Sequence, residues 1–343
     1  MKGWVATAPI RICDAGGWTD TWFAGHGLVV NIAVEPRAEA VVTTRERGAG
    51  PGVRLHAADF GDDYEFDLDD PPNRHPLLEQ SIRDAGMPDD TTAIDVRVRC
   101  AAPAGASTGT SAAVSVALLA ACTAAAGTTV TPQQIAERAH RVETERLGLQ
   151  AGIQDQLASA HGGVCVIDMH RYPEATVQQV RLSRDFNAAL QASLLLVYLG
   201  TSHVSSDVHR SVITELEQEG SAAPRLARLR RCAAAARDAL VAEDLRAYAR
   251  ALVDNTDAQA ALAPGIVGAE ASALIDLAAG LGAMGWKVNG AGGAGGSVTV
   301  LVPPDDASVR AAVVEALAAH PRWEIIPTRI AATGVEVARL GGF

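Results

Sequence analysis

Ala93-Ile94-Asp95-Val96-Arg97-Val98-Arg99-Cys100 is followed by Pro103-Ala104-Gly105-Ala106-Ser107-Thr108-Gly109-Thr110-Ser111, and then by a run of Ala, Val, Leu and Ser over 112–126. The first segment alternates apolar and polar residues, the mark of a strand with one face in the core. The second is a loop of glycines, small residues and hydroxyls. The third predicts a helix that is apolar nearly all round and therefore buried. Strand, small-residue loop and buried helix together make a place for phosphate. A helix start offers free N–H groups and a partial positive charge, and small residues let the backbone approach an anion. A tight strand-to-helix turn that binds nothing has the same local pattern. The P-loop of other nucleotide enzymes has a Lys directly after its second Gly. Here lysine occurs only as Lys2 and Lys287. A nucleotide at this loop is therefore expected to be held by backbone and hydroxyls.

At 343 residues the chain is long enough for two domains with sizeable cores. With 48% hydrophobic but only 4% aromatic residues, Ala, Val and Leu must fill those cores. A net charge of −11 argues against nucleic-acid or membrane-surface partners, and an anionic substrate would need locally placed Arg or backbone donors. Cys13, Cys100, Cys122, Cys165 and Cys232 are odd in number, scattered and without a CxxC pair. Four of them sit in apolar or small-residue stretches as core fillers. Together with an N-terminus lacking a signal pattern, they predict a cytoplasmic protein. The helix from Ser111 follows a loop and lacks flanking charges, so it is expected in the core rather than across a membrane.

In chain order, residues 3–12 predict a first strand ending in the turn Asp14-Ala15-Gly16-Gly17-Trp18-Thr19-Asp20-Thr21. Arg11, Asp14, Trp18 and Asp20 crowd that turn with groups suited to a polyol. Residues 28–34 and 38–44 predict two strands joined by Glu35-Pro36-Arg37, and 46–75 hairpins and exposed loops. Thr131, Pro132 and Gln134 form a helix start with a capping box. That helix is expected to run to about Leu147, with Glu143 at the border of its apolar face. Most such glutamates are solvated or paired with an Arg. Gly152-Ile153-Gln154-Asp155-Gln156-Leu157 opens a further helix, where Asp155 complements the helix dipole. A strand at 194–199 opens a second part of the chain, followed by helices around 208–219, 225–240, 244–262 and 269–281. His203 and His209, six apart, lack a helical ligand spacing. The run Gly290-Ala291-Gly292-Gly293-Ala294-Gly295-Gly296 between two strands is costly in chain entropy, so another loop or a ligand must approach it closely. A last helix near 305–319 and strands near 323–327 and 330–338 are expected to complete a small α+β layer.

These motifs, in this order, resemble the GHMP kinases (galactokinase, homoserine kinase, mevalonate kinase, phosphomevalonate kinase). The loop at 103–112 is similar to the family's Pro-x-Gly-x-Gly-Leu-Gly-Ser-Ser-Ala, with Ser107 in place of a Gly and Thr108 in place of the Leu. The run at 290–296 resembles its Gly-Ala-Gly-Gly-Gly-Gly motif. The stretch 11–20 and Gly-Ile-Gln-Asp-Gln at 152–156 are similar to the heptose 7-phosphate kinase and L-fucokinase branches. The resemblance implies an α+β fold of two domains, with a ribosomal-protein-S5-domain-2-like part at 1–188 and a ferredoxin-like part at 189–343. It implies an ATP- and Mg²⁺-dependent kinase acting on a sugar hydroxyl, the acceptor being a heptose 7-phosphate or a deoxyhexose such as fucose, phosphorylated at the anomeric position. Pro103, Gly105, Ala106, Ser107, Thr108, Gly109, Thr110 and Ser111 match the nucleotide loop. Ser111 and Glu143 match the metal ligands, which are hard oxygens as Mg²⁺ prefers. Asp155 matches the catalytic carboxylate, and Arg11 is placed to stabilise transferring phosphate charge. Gly17, Trp18, Asp20, Gly292 and Gly293 match substrate positions. Where galactokinase has Glu and His before the Thr-Asp, this chain has Gly17 and Trp18, which speaks against galactose. The expected assembly is a monomer or homodimer. A kinase of homoserine or mevalonate type, a related decarboxylase, and a nucleotide-binding homologue without chemistry are the alternatives.

Overall fold

The computed structural model describes residues 2–87, 91–201 and 207–341. The first half of the chain contains β1 (Lys2–Ala15), β2 (Gly27–Glu46), β3 (Val53–Ala57), β4 (Asp62–Phe66), α1 (Pro76–Asp84), β5 (Thr92–Cys100), α2 (Thr110–Ala125), α3 (Pro132–Arg141), α4 (Gln154–His161), β6 (Val164–Arg171) and β7 (Glu174–Gln179). The remainder contains α5 (Arg184–Ser193), β8 (Leu194–Tyr198), α6 (Asp207–Glu219), α7 (Pro224–Val241), α8 (Leu245–Ala260), α9 (Ala269–Gly280), β9 (Gly285–Val288), β10 (Ser297–Leu301), α10 (Ala307–Ala318), β11 (Glu324–Ile326), β12 (Arg329–Ile330) and β13 (Glu336–Arg339).

Nine strands form the first sheet, with β2 as its spine. Residues 27–32 of β2 pair with β6, residues 38–46 pair with β5, and β1 runs antiparallel along both parts. The two strands expected on either side of Glu35-Pro36-Arg37 are therefore one. Strand β1 continues past the interruption and absorbs it as a slip in register, Pro9 facing Arg37 and Ile10 facing Val34. Helix α2 packs on β1 and β2 and is buried on nearly every face, as its composition predicts. The capping box at the start of α3 is present in both directions, Gln134 N to Thr131 Oγ1 at 3.2 Å and Thr131 N to Gln134 Oε1 at 2.9 Å. All five cysteines are free and buried.

The second sheet runs β11-β8-β10-β9, all antiparallel. Numbering its strands along the chain gives the order 4-1-3-2 of a ferredoxin-like layer, with α6, α7, α8 and α9 between its first two strands. The α+β two-domain architecture is as expected, but the end of the chain is not. Strands β12 and β13, expected in the second layer, pair instead with β2 and β1 of the first sheet. Close backbone contact holds this return. Ala331 N bonds to Ala33 O at 2.9 Å, and a Cβ on Gly162 would lie 2.2 Å from Gly334 N, so only glycine fits there. Among the described residues no helix is long and apolar enough to cross a membrane.

Candidate active site

Both parts of the chain wall one cleft of about 420 Å³. It is lined by the end of β1 and its turn, the loop before α2, the starts of α2 and α4, residues of α6, and Gly290 with Ala291.

Helix α2 enters the cleft without a side-chain cap. Its N-cap is Gly109 at φ 70°, and its first capping bond runs from Ala113 N to Gly109 O. The amides of Thr110, Ser111 and Ala112, all on the cleft wall, are thus left without a carbonyl partner among the described residues. These are orphan donors at the positive end of a helix dipole, suited to an anion. Glycine suits position 109 because its φ is one that other residues rarely adopt, and a Cβ there would make a tight 3.3 Å contact with the Asp155 carboxyl carbon.

Asp155 stands in the first turn of α4, at the same end of the cleft. Arg11 holds it by two parallel bonds, Nε to Oδ1 at 2.7 Å and Nη2 to Oδ2 at 3.0 Å. The third arm of the guanidinium bonds to Ser107 O, and Arg11 N bonds to Thr108 O at 2.9 Å. Arg11 is only 4% exposed. Burial opposes its charge, but Asp155, Asp14 and Asp20 outweigh it and hold the guanidinium above its ordinary range. Arg11 therefore orients Asp155 and ties it to the loop at 103–109.

Two further carboxylates are perturbed. Asp20 is buried and its pKa is pushed up to about 6, mainly by burial, although Gln154 N donates to it at 3.1 Å. Gly152 lets it in, since a Cβ there would lie 2.1 Å from Asp20 Oδ2. Glu143 is raised to about 7 by enclosure of its carboxyl group, against a bond from Gln156 Nε2 at 2.9 Å and with Asp155 adding repulsion. Residues 142–146 leave α3 as a π-turn, which carries Glu143 into the cleft wall. A half-buried carboxylate with one neutral donor and a carboxylate neighbour lacks positive charge. With Ser111 on the same wall, that donor set fits a hard divalent cation whose remaining ligands are phosphate and water. Among the described residues no cluster of three or more acidic, His or Cys side chains forms a self-sufficient metal site.

On the cleft lining, Asp14 accepts from Gly290 N at 3.1 Å and lies 3.4 Å from Lys287 Nζ, which sits behind it. Burial pushes that ammonium below its ordinary value against the pull of Asp14. This buried pair fastens the glycine-rich run to the end of β1. The side wall is aromatic: Trp18, Trp22, Phe23 and His209, with the Trp18 and His209 rings parallel to within 4° at 5.9 Å. Thr19 Oγ1 bonds to Gly16 O at 2.7 Å and Thr21 Oγ1 to Trp18 O at 2.8 Å, which closes the turn that carries Trp18.

Of the residues singled out from sequence, Arg11, Trp18, Asp20, Gly105, Ser107, Thr108, Gly109, Thr110, Ser111, Glu143 and Asp155 come together on this cleft. Five do not. Pro103 makes the turn that receives Ala106 N, and Ala106 is fully buried, its carbonyl taken by Ser297 Oγ at 2.6 Å. A Cβ on Gly17 would meet Asp14 Oδ2 at 2.8 Å, so this glycine serves closure of the turn. Gly292 and Gly293 pack against Ile266: a Cβ on Gly292 would be 2.2 Å from Ile266 O, which Gly293 N meets at 2.6 Å. The close approach demanded by the glycine run is thus largely the protein's own backbone. Only Gly290 and Ala291 of that run face the cleft. Gln154 and Gln156, which flank Asp155, and the aromatic pair Trp22-Phe23 also line the cleft, though none was expected there from sequence. His209, weighed from sequence only for metal-ligand spacing, and Ile213 reach the cleft because folding brings α6 there. His203 lies outside the described residues.

Comparison with known proteins agrees with this geometry. Residues 77–163 match the GHMP kinases N terminal domain. Mevalonate kinase of Methanothermobacter thermautotrophicus is 30% identical over 223 residues, 62% of this chain and 66% of that protein. D-glycero-alpha-D-manno-heptose 7-phosphate kinase of Campylobacter jejuni is 26% identical over 171 residues, 50% of each. The matched segments thus span between half and two thirds of these relatives. Among solved structures, a D-glycero-D-manno-heptose 1-phosphate kinase from Bacteroides thetaiotaomicron has a TM-score of 0.74 at 21% identity, covering 99% of this chain and 100% of the other. At that identity the likeness is one of fold.

Proposed function

We infer that this chain, whose residues 77–163 are a GHMP kinase N-terminal domain within the two-domain fold of that family, transfers the γ-phosphate of ATP to a sugar hydroxyl. The observation that carries this reading is one juxtaposition. The Asp155 carboxylate, fixed by the buried Arg11, faces a cleft into which α2 points three unpartnered amides.

Phosphoryl transfer asks mainly for positioning and for neutralisation of charge on the transferring group. In this reading the α2 amides and the hydroxyls of Thr108, Thr110 and Ser111 hold the nucleotide's phosphates. Ser111 and Glu143 are the proposed ligands of Mg²⁺, which when bound supplies the positive charge that Glu143 lacks. Asp155 accepts the hydrogen bond of the attacking hydroxyl and aims its oxygen. Arg11 keeps that carboxylate in one rotamer. Asp20 and Trp18 receive the rest of the acceptor, and the anomeric hydroxyl is the proposed point of attack. The two domains are proposed as 1–188 and 189–343, amended by the return of β12 and β13 to the first sheet.

A non-sugar alcohol is a second reading, favoured by the 30% identity to a mevalonate kinase. The deciding experiment is ADP release with MgATP over fucose, galactose, mannose, heptose 7-phosphate, homoserine and mevalonate. Turnover on a sugar or sugar phosphate supports the conclusion. Turnover only on homoserine or mevalonate replaces the acceptor, and ATP binding without turnover on any acceptor overturns the kinase reading.

A further inference from the structure

Resting on the kinase reading, we propose that the acceptor is an uncharged sugar, with no phosphate or carboxylate of its own, received against Trp18. Two independent features of the cleft lead there.

The first is charge. Among the described residues the lining holds four carboxylates, Asp14, Asp20, Glu143 and Asp155, and one guanidinium, Arg11. Arg11 is committed to Asp155 and to Ser107 O. His209, the other basic group of the lining, is buried, which lowers its pKa, and its Nε2 is 3.1 Å from Gly292 O. Lys287 is 1% exposed and does not line the cleft, its ammonium directed at Gln259 Oε1 and Val288 O behind Asp14. What the site offers to negative charge is the start of α2, and the nucleotide's phosphates take it. A phosphate carried by the acceptor would face carboxylates with no cation among the described residues to meet it. Recognition of a second phosphate ordinarily uses an Arg fork or a Lys, and among the described residues neither is free on this wall.

The second is Trp18. Its backbone lies at φ 76°, where a residue of this size is an outlier that must be held by its surroundings. The side chain is 8% exposed, lies on the cleft wall, and its indole N–H is buried with no acceptor among the described residues. Buried donors in folded proteins are almost always satisfied, so one left unpartnered in a side chain that lines a cleft points to an acceptor that arrives with the ligand. A hydroxyl or ring oxygen supplies it, while the apolar face of a pyranose covers the aromatic wall. Asp20, close by on the same lining, accepts from a sugar hydroxyl in turn.

The test compares matched acceptors on the wild-type protein: mannose with mannose 6-phosphate, and manno-heptose with its 7-phosphate, alongside fucose, homoserine and mevalonate. ADP release is measured with saturating MgATP. The neutral member of a pair should exceed its phosphate by about 100-fold or more in kcat/KM, the size expected of a like-charge juxtaposition. Trp18→Phe keeps an aromatic ring and removes the N–H. It should raise KM for the neutral sugar about 10-fold, with kcat within about threefold, as for loss of one hydrogen bond. Preference for the phosphorylated member, or turnover only on the carboxylate-bearing homoserine or mevalonate, overturns the inference and leaves the kinase reading standing. Silence on every acceptor with MgATP bound in calorimetry overturns the kinase reading itself. An unchanged KM in a folded Trp18→Phe protein removes Trp18 from the proposal, and the wild-type comparison does not depend on that variant folding.

Discussion

Replacing Asp155 by asparagine conserves shape and removes one charge, and the structure sets what should follow. Arg11 now donates to both carboxylate oxygens, at 2.7 and 3.0 Å. An amide can keep one of these bonds, but its NH₂ then faces the other guanidinium arm, donor against donor. Breaking a buried ion pair by removing one partner costs about 3–5 kcal/mol. Two facts discount that figure here. Asp155 is 28% exposed, and Asp14 and Asp20 still act on the guanidinium. A loss of about 1–3 kcal/mol is therefore expected, a shift of several degrees in Tm. Activity should fall much further, by about 10²–10⁴ in kcat, because the group that aims the attacking hydroxyl is gone. ATP binding, which uses the α2 amides, should change by less than about threefold. The assay is ADP release on the best acceptor, with calorimetric ATP binding and thermal unfolding on the same preparations. Near-normal turnover in a folded Asp155→Asn protein would refute the role given to this carboxylate. A parallel loss of ATP affinity would mean that the loop, not the chemistry, had been disturbed.

Other outcomes follow from the same geometry. Gly290→Ala would place a Cβ 3.0 Å from Ser107 Cβ at φ +66°, so it should cost about 1–2 kcal/mol in unfolding measurements. Gly48→Ala, with nothing within 4 Å, should be neutral in the same assay. Asp20→Asn should stabilise the protein at neutral pH. The folded pKa is raised from 3.8 to about 6, so the contribution of Asp20 is favourable below the unfolded value and is lost as pH rises through 6. The gain of about 2–3 kcal/mol above pH 6 should vanish near pH 4, and a gain independent of pH would exclude this origin. Glu79 shows the opposite sign. Burial opposes its charge, but Tyr64 Oη and the amides of Asn73, Arg74 and His75 hold its pKa below the ordinary value. Its contribution is therefore present above pH 4.5 and lost as pH falls, so Glu79→Gln should flatten the acid limb of the stability curve and cost about 2 kcal/mol at pH 7. Chelation of divalent cations should abolish turnover, and Glu143→Gln should raise the Mg²⁺ needed for half-maximal rate about tenfold or more. An unchanged Mg²⁺ requirement would remove Glu143 from the metal site.

Much of this was legible locally. The buried helix α2, the small-residue loop before it and the capping box at Thr131 follow from composition and from residues three or four apart, and each formed as expected. The motif resemblance named Asp155, Ser111 and Glu143, and all three reach the cleft. What sequence alone determined, then, is which segments become helix or strand and which side chains are available for chemistry. Those properties depend on intrinsic propensity and short-range bonds. Only the tertiary structure decided the partners. Arg11 meets a carboxylate 144 residues away. The glycine run closes on Ile266, Thr201 and Ser107, which leaves only Gly290 and Ala291 on the cleft. Helix α6 delivers His209 against Trp18, and β12 and β13 return to the first sheet instead of finishing the second. The physical reason is the same in each case. Desolvation, ion pairing and backbone contact act between residues distant in the chain, and no window of neighbouring residues contains both members of such a pair.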